Sequence, residues 1–234
     1  MRCSTCGAKG LSSCVSLLGE FGKRLEEQGL SFRPVQRTVQ ARRNIYIAGE
    51  ASEDAYVMCS GWACRLVRLP DGRCQILSFL LPGDLFSAAA PFQERLDFYV
   101  EAVTEVRYAA ISRAAVRAKL AEDPRTLEAF MNLCIAETRD ANQMLTELGQ
   151  RTADEHIARI ILQLMERLDM RGMVHDQSFE FPLRQQHIAD AMGLTPVHIS
   201  RVMSAFRQSG LIEIHEGILK IHDLDELRRI AGMK

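Results

Sequence analysis

The 234-residue chain holds no uninterrupted apolar run near the roughly 18 residues that a membrane-spanning helix needs. Its opening segment, MRCSTCGAKGLSSC, lacks the apolar core of a signal peptide, so a cytoplasmic location with no membrane partner is expected. Charge of one sign is missing too. The 29 Lys and Arg face 30 Asp and Glu, a net charge of −1, which excludes a uniformly basic nucleic-acid coat and requires any DNA contact to come from a local basic patch. Catalytic signatures are absent. There is no Gly-rich phosphate loop, nucleophile elbow or HExxH pattern. Cys3-x2-Cys6 lacks the βαβ setting of a thioredoxin-like motif. An enzyme is therefore not expected.

What is present begins with seven cysteines, an odd number that argues against a disulfide framework. Cys3, Cys6 and Cys14 crowd the N-terminus, while Cys59, Cys64, Cys74 and Cys134 are scattered. Clustered thiols in a reducing compartment point to metal or redox chemistry. From Ser16 to about Leu30, the spacing of Leu17, Leu18, Phe21 and Leu25 predicts a short amphipathic helix.

Residues 31–112 have a different texture. Short segments rich in Val, Ile, Tyr and Phe are punctuated by Gly49, Gly61, Gly72 and Gly83, at intervals of 12, 11 and 11. Short strands with turn signals at such spacing predict an all-β sandwich or barrel. Leu66–Leu80, broken at Pro70-Asp71-Gly72, reads as a hairpin, and Pro82-Gly83-Asp84 as a further turn. From Arg113 the pattern turns helical, with Pro124 as an early interruption. Leu127, Met131, Cys134, Thr138, Ala141, Leu145 and Leu148 then recur at alternating steps of 4 and 3. That spacing is a heptad seam, which predicts a dimerising helix; the competing reading is a long helix packed on its own β-domain. A strongly apolar helix follows over 153–168.

Residues 182–223 carry the densest signals. Pro182-Leu183 is read as opening a helix that runs to Met192, with Ile188, Ala189 and Met192 inward and Gly193 as its stop. Thr195 suits an N-cap and Pro196 a first helical residue. The second helix, to about Gln208, buries Ile199, Val202, Met203 and Phe206. Thr195, Val197, His198, Ser200, Arg201, Ser204 and Arg207 are left as candidate DNA contacts. Two short helices about a tight glycine turn can place the second in a major groove. There Arg201 could grip guanine O6 and N7, a pairing worth roughly 1–3 kcal/mol of discrimination. Ser200 could meet a base or a phosphate, and Arg207 a phosphate. The stretch LIEIHEGILKIHD, two short strands about His215-Glu216-Gly217, reads as a wing. The competing reading is a small helical subdomain with solvated arginines.

These residues resemble the CRP/FNR family of bacterial transcription regulators, over nearly the whole chain. In the β-region the likeness rests on Ile45-Tyr46-Ile47-Ala48-Gly49-Glu50, on Tyr56-Val57-Met58-Cys59-Ser60-Gly61 and on Leu80-Leu81-Pro82-Gly83-Asp84-Leu85. Further on it rests on Arg151-Thr152-Ala153-Asp154-Glu155-His156-Ile157-Ala158, on Ile188 through Thr195, and on Ile199-Ser200-Arg201. The resemblance implies an α+β chain in four parts: a Cys-containing segment with a short helix (1–30), a double-stranded β-roll sensor similar to cyclic-nucleotide-binding domains (31–120), a dimerisation helix (121–151) and a winged helix-turn-helix (152–234). It implies a homodimer on two-fold-symmetric promoter DNA in contact with RNA polymerase. Val197 departs from the family, which places a Glu there. Without that carboxylate a cytosine N4 donor loses its acceptor, so altered base preference is expected.

The resemblance also frames the signal. Cyclic-nucleotide sensing in the family uses a Gly-Glu and an Arg-Ser pair; here stand Gly83-Asp84 and Arg95-Leu96-Asp97. Asp97 would repel a cyclic phosphate, so cyclic AMP is not the expected ligand. Cys3, Cys6 and Cys14 resemble the cysteine cluster of oxygen-sensing FNR-type regulators, which hold a [4Fe–4S] cluster on thiolates. The family's fourth cysteine falls at Ala109 or its neighbour, where none stands. A zinc site, a thiol redox switch and an unliganded segment are the alternatives. No histidine lies between 31 and 112 to support haem. A small-ligand module whose signal is not redox is the competing functional reading.

Overall fold

The computed structural model describes residues 35–150 and 152–233, with backbone alone at 147–150. The helix expected over 16–30, the thiols of Cys3, Cys6 and Cys14, and the Leu148 side chain lie outside the described residues. The chain divides into two units near residue 141, with the hairpin tip Leu69–Ile76 grouped with the second.

The first unit is built on strands β1 (Val35–Val39), β2 (Asn44–Tyr46), β3 (Asp54–Ser60), β4 (Ala63–Arg68), β5 (Cys74–Leu80), β6 (Tyr99–Ala102) and β7 (Val106–Ser112). They form two sheets, β1-β7-β3 and β2-β6-β4-β5. This is the expected β-roll. The central strand β7 pairs antiparallel with both neighbours, Ala109 facing Gln36 on one side and Val57 on the other. Trp62, Phe86, Met58 and Ile76 are fully buried, Met58 and Phe86 within the roll's core. Each such side chain withdrawn from water contributes about 1.5–3 kcal/mol. Gly61 makes the β3–β4 turn possible. Its φ is +82°, and a Cβ there would stand 2.1 Å from the Glu105 carbonyl oxygen, so any side chain is excluded twice over.

Helix α1 (Arg113–Glu122) leaves β7 directly, and α2 (Pro124–Gln150) follows after a single residue. That residue, Asp123, is extended at φ −123°, ψ 104°, the conformation a following proline imposes. Its carboxylate restarts the helix, accepting from the Arg125 N–H at 3.1 Å and the Thr126 hydroxyl at 2.8 Å. Phe130 of α2 is buried with Ala88 and Leu120, and Leu133 and Cys134 pack against this cluster. Burial pushes the Cys134 thiol pKa up, and Glu137 adds to the shift.

The second unit opens with α3 (Ala153–Asp169), started by a capping box in which the Thr152 hydroxyl accepts from the Glu155 N–H and the Glu155 carboxylate accepts from the Thr152 N–H. Ile157, Ile161, Leu162 and Leu168 supply its buried face. Then come β8 (Ser178–Glu180), α4 (Gln185–Met192), α5 (Pro196–Gln208), β9 (Ile212–His215), β10 (Ile218–Ile221) and α6 (Leu224–Ile230). The sheet order is β8-β10-β9. Two elements go beyond the sequence reading, strand β8 and helix α6. One boundary is corrected. The helix expected from Pro182-Leu183 starts at Gln185, because Arg184 is still extended at φ −83°, ψ 159° and serves as its N-cap.

Candidate nucleic-acid interface

Recognition-helix geometry begins at Gly193. Its left-handed φ of 65° ends α4 and turns the chain toward α5. The Thr195 hydroxyl then accepts from the His198 N–H at 3.3 Å, and Pro196 occupies the first turn. Capping and proline fix the entry of the helix, and the apolar stripe fixes its rotation. Ile199, Val202, Met203 and Phe206 are buried at 0–5% exposure. With that face inward, Val197 stands 70% exposed. Thr195, His198, Arg201 and Arg207 are also exposed, and Ser200 and Ser204 are half-buried beside them.

All seven expected contact residues thus fall on or beside one outward face of α5 or at its cap. Their states differ. Arg207 donates through Nη2 to the Ser204 hydroxyl at 3.1 Å. Arg201 is exposed and makes no hydrogen bond or ion pair among the described residues. Ala205 and Gln208, exposed near the helix end, were not singled out by the sequence pattern; being neither charged nor periodic, they carry no local signal.

The wing is the β9–β10 hairpin. Glu216 (φ 49°) and Gly217 (φ 78°) form its two-residue turn, with both residues left-handed as such a turn requires. His215 faces Ile218 across the pair, and the Gly217 carbonyl accepts from the Phe181 N–H at 2.7 Å. Lys220 is committed to Asp176 at 2.6 Å, and its ammonium holds that carboxyl below the usual carboxylate range. At the foot of α4, His187 Nδ1 accepts from the Arg184 N–H at 3.1 Å.

The long-helix seam is placed less uniformly. Leu127, Met131 and Leu145 are 43%, 50% and 70% exposed, and Thr138 and Ala141 are also exposed. Cys134 instead turns toward the Ala88–Leu120–Phe130 cluster, while Ile135, absent from the expected seam, is 53% exposed.

The sensor residues of the roll are engaged internally. The Asp84 carboxylate accepts from the Leu81 N–H at 2.7 Å, closing its own turn. Arg95 donates to the Gly49 carbonyl at 2.6 Å. Cys59 and Cys64 are buried thiols that donate to the Val57 and Glu101 carbonyls. Among the described residues, no three His, Cys, Asp or Glu side chains converge as a metal site. Ala109, at or beside which the resemblance sets a fourth cysteine, is a buried strand residue with no side-chain donor.

Comparison with known proteins agrees with this geometry. A profile described as "Crp-like helix-turn-helix domain" matches residues 155–230, and one described as "Cyclic nucleotide-binding domain" matches residues 36–123. The chain is 33% identical over 193 residues to the nitrogen fixation regulation protein FixK of Azorhizobium caulinodans, across 80% of this chain and 76% of that one. It is 27% identical over 237 residues to the transcriptional activator protein FnrA of Stutzerimonas stutzeri, across 99% of this chain and 93% of that one. Among solved structures, FixK2 from Bradyrhizobium japonicum matches with a TM-score of 0.77 at 22% identity, across 85% of this chain and 98% of that one, a likeness of fold. No helix among the described residues is long and apolar enough to cross a membrane. With β-roll, long helix and winged helix-turn-helix in this order, the chain belongs to the FNR-like branch of the CRP/FNR family, whose members are DNA-binding transcription regulators and not enzymes.

Proposed function

We propose that the protein is a homodimeric regulator that reads two-fold-symmetric promoter DNA with α5 and responds to a redox or oxygen signal at its N-terminal cysteines. The observation that carries the DNA reading is Arg201, held outward by a helix whose other face is fully buried, with no acceptor of its own among the described residues. A guanidinium so placed matches the paired acceptors of guanine in the major groove. Ser200, Thr195 and His198 flank it, and Val197 presents an apolar group that suits a thymine methyl. Dimerisation is supported by Leu127, Met131, Ile135 and Leu145, which leave an apolar stripe on α2. Contact with RNA polymerase is what the family implies, and a role in nitrogen-fixation control is what the FixK relative suggests.

Cys3, Cys6 and Cys14 are the thiols that would hold an iron–sulfur cluster or pass through reversible oxidation, and thiolate sulfur is the right donor for either. Because Ala109 offers no fourth donor, a complete ligand set must draw on another residue. Cyclic AMP is disfavoured as the signal by Asp97, and by the engagement of Asp84 with the Leu81 N–H and of Arg95 with the Gly49 carbonyl.

Selection of bound duplexes from a randomised pool tests the DNA reading, with a two-fold-symmetric consensus expected; enrichment of no sequence would remove it. Met131→Asp is expected to yield monomer in sedimentation and to weaken DNA binding; an intact dimer would move the interface elsewhere. For the signal, anaerobic purification should give either iron and sulfide or DNA affinity that follows thiol oxidation. Colourless protein with redox-independent DNA affinity contradicts the proposal.

A further inference from the structure

The tip of the wing carries an unexpected charge. It is formed by Glu216 and Gly217, at φ 49° and 78°. A two-residue turn with both residues left-handed favours Asn-Gly or Asp-Gly, because a short Asn or Asp side chain tolerates positive φ. Glutamate is longer and rarely adopts that conformation, so its place here costs folding free energy. The Glu216 side chain is exposed and makes no hydrogen bond or ion pair among the described residues, so no internal contact offsets the cost. A strained residue with no role inside the fold directs attention to what meets it from outside.

The position of the wing says what that is. The Gly217 carbonyl at the tip accepts from the Phe181 N–H at 2.7 Å. Phe181, Met203, Arg207 and Ile214 line one groove between α5 and the wing. The wing therefore stands beside the recognition helix. A helix with its side chains is about 10–12 Å across, and the major groove is about 12 Å wide. A helix that enters fills the groove, and an element on its flank meets the sugar–phosphate strand. Cations are the expected residues on such a flank. The wing supplies none. Lys220 is the only Lys or Arg on β8, β9 and β10, and it is tied to Asp176 at 2.6 Å. Glu180 and Glu213 are exposed on the same sheet.

We propose that Glu216 is an electrostatic brake on DNA binding. Its carboxylate faces the phosphates and lowers affinity for every duplex by the same factor. The protein then stays bound only where the base contacts of α5 offset the loss. This role presupposes that α5 reads DNA, and it is independent of the redox reading of Cys3, Cys6 and Cys14.

The test is a binding titration of the full chain on a selected and a random duplex over a series of salt concentrations. Wild type, Glu216→Asn and Glu216→Lys are compared. Glu216→Asn removes the charge and installs a residue that the turn prefers, so its melting midpoint should be at or above that of wild type. At low salt it should bind both duplexes more tightly, by roughly twofold to fivefold for each half-site, the range of one exposed charge pair. That gain should shrink as salt is raised. Glu216→Lys should gain more, and its affinity should depend on salt more steeply by about one unit per protomer. Unchanged or weaker binding by Glu216→Asn at low salt would overturn the proposal. So would a gain that persists at high salt, which reports relief of strain rather than of charge, or a gain confined to the selected duplex. Wild-type protein that binds no duplex would remove the DNA reading itself, and the brake with it.

Discussion

In the β-roll, Arg95 donates to the Gly49 carbonyl, Arg113 to that of Ser52 at 2.9 Å and Arg117 to that of Pro91 at 3.0 Å, while Arg65 is held by Glu137. On α5 the arginines are spent differently. Arg201 meets no acceptor among the described residues, and Arg207 meets only the neutral Ser204 hydroxyl. The same side chain closes loops in the roll and is left open on α5. A folded chain gains by pairing its guanidinium groups internally, because each charge-assisted bond contributes about 1.5–3 kcal/mol. A guanidinium kept exposed and unpaired is thus free to meet an external anion or base.

The largest expected effect separates the two faces of α5 itself. Ile199 is fully buried and Val197 is 70% exposed, two residues apart. Ile199→Ala should cost about 2–5 kcal/mol in urea unfolding of the DNA-binding unit, the usual range for a buried aliphatic truncated to alanine. Val197→Ala should stay within about 0.5 kcal/mol of wild type. Equal losses at both positions would show that the outward face is packed, and the contrast between closed roll and open helix would fail.

Next is the roll's own arginine. Arg113 is buried and holds the Ser52 carbonyl. Arg113→Ala is expected to cost about 1.5–3 kcal/mol through that unpaired carbonyl. It should lower the urea midpoint with an unchanged slope. DNA affinity measured well below the midpoint should be unaffected. Arg201→Ala should do the reverse: operator affinity falls by roughly tenfold to a hundredfold for each half-site, matching the absence of one guanine pairing of about 1–3 kcal/mol per protomer, and the unfolding curve is unchanged. If the two variants exchanged phenotypes, the assignment of the two arginines would be reversed.

What could be read in advance, and what could not, follows from the range of the forces. Gly49, Gly61, Gly72 and Gly83, marked in the sequence as turns, all have positive φ; this is a local demand that a local residue answers. The Thr152–Glu155 capping box and the Gly193–Thr195–Pro196 turn are likewise complete within a few residues. Strand β8 spans three residues, too few to show a period of two. The Arg65–Glu137 pair joins residues 72 apart in the chain, and nothing near either residue announces the other. On α2, Cys134 packs toward the Ala88–Leu120–Phe130 cluster while Ile135, outside the expected seam, is exposed; the contact that draws Cys134 inward is made with residues distant in the chain and has no signal in the heptad spacing. Of the outward-facing residues on α5, the charged and capping ones stand out in the sequence because their chemistry is distinctive; Ala205 and Gln208 do not.

The smallest expected effect tests whether Arg207 belongs with the open arginines at all. It lies near the C-terminal end of α5, away from the N-terminal turns that would enter the groove. Its tie to Ser204 orients the guanidinium without neutralising it. A guanidinium at that position would fall on phosphate, which carries no sequence information. Arg207→Ala should therefore weaken selected and random duplexes alike and leave the preferred sequence unchanged. The logarithmic dependence of affinity on salt should flatten by about one unit for each phosphate left without its cation, and so by about two in a symmetric dimer. A change in sequence preference with an unaltered salt slope would instead make Arg207 a base reader. The division would then run between the two units alone, with both arginines of α5 on the same side of it.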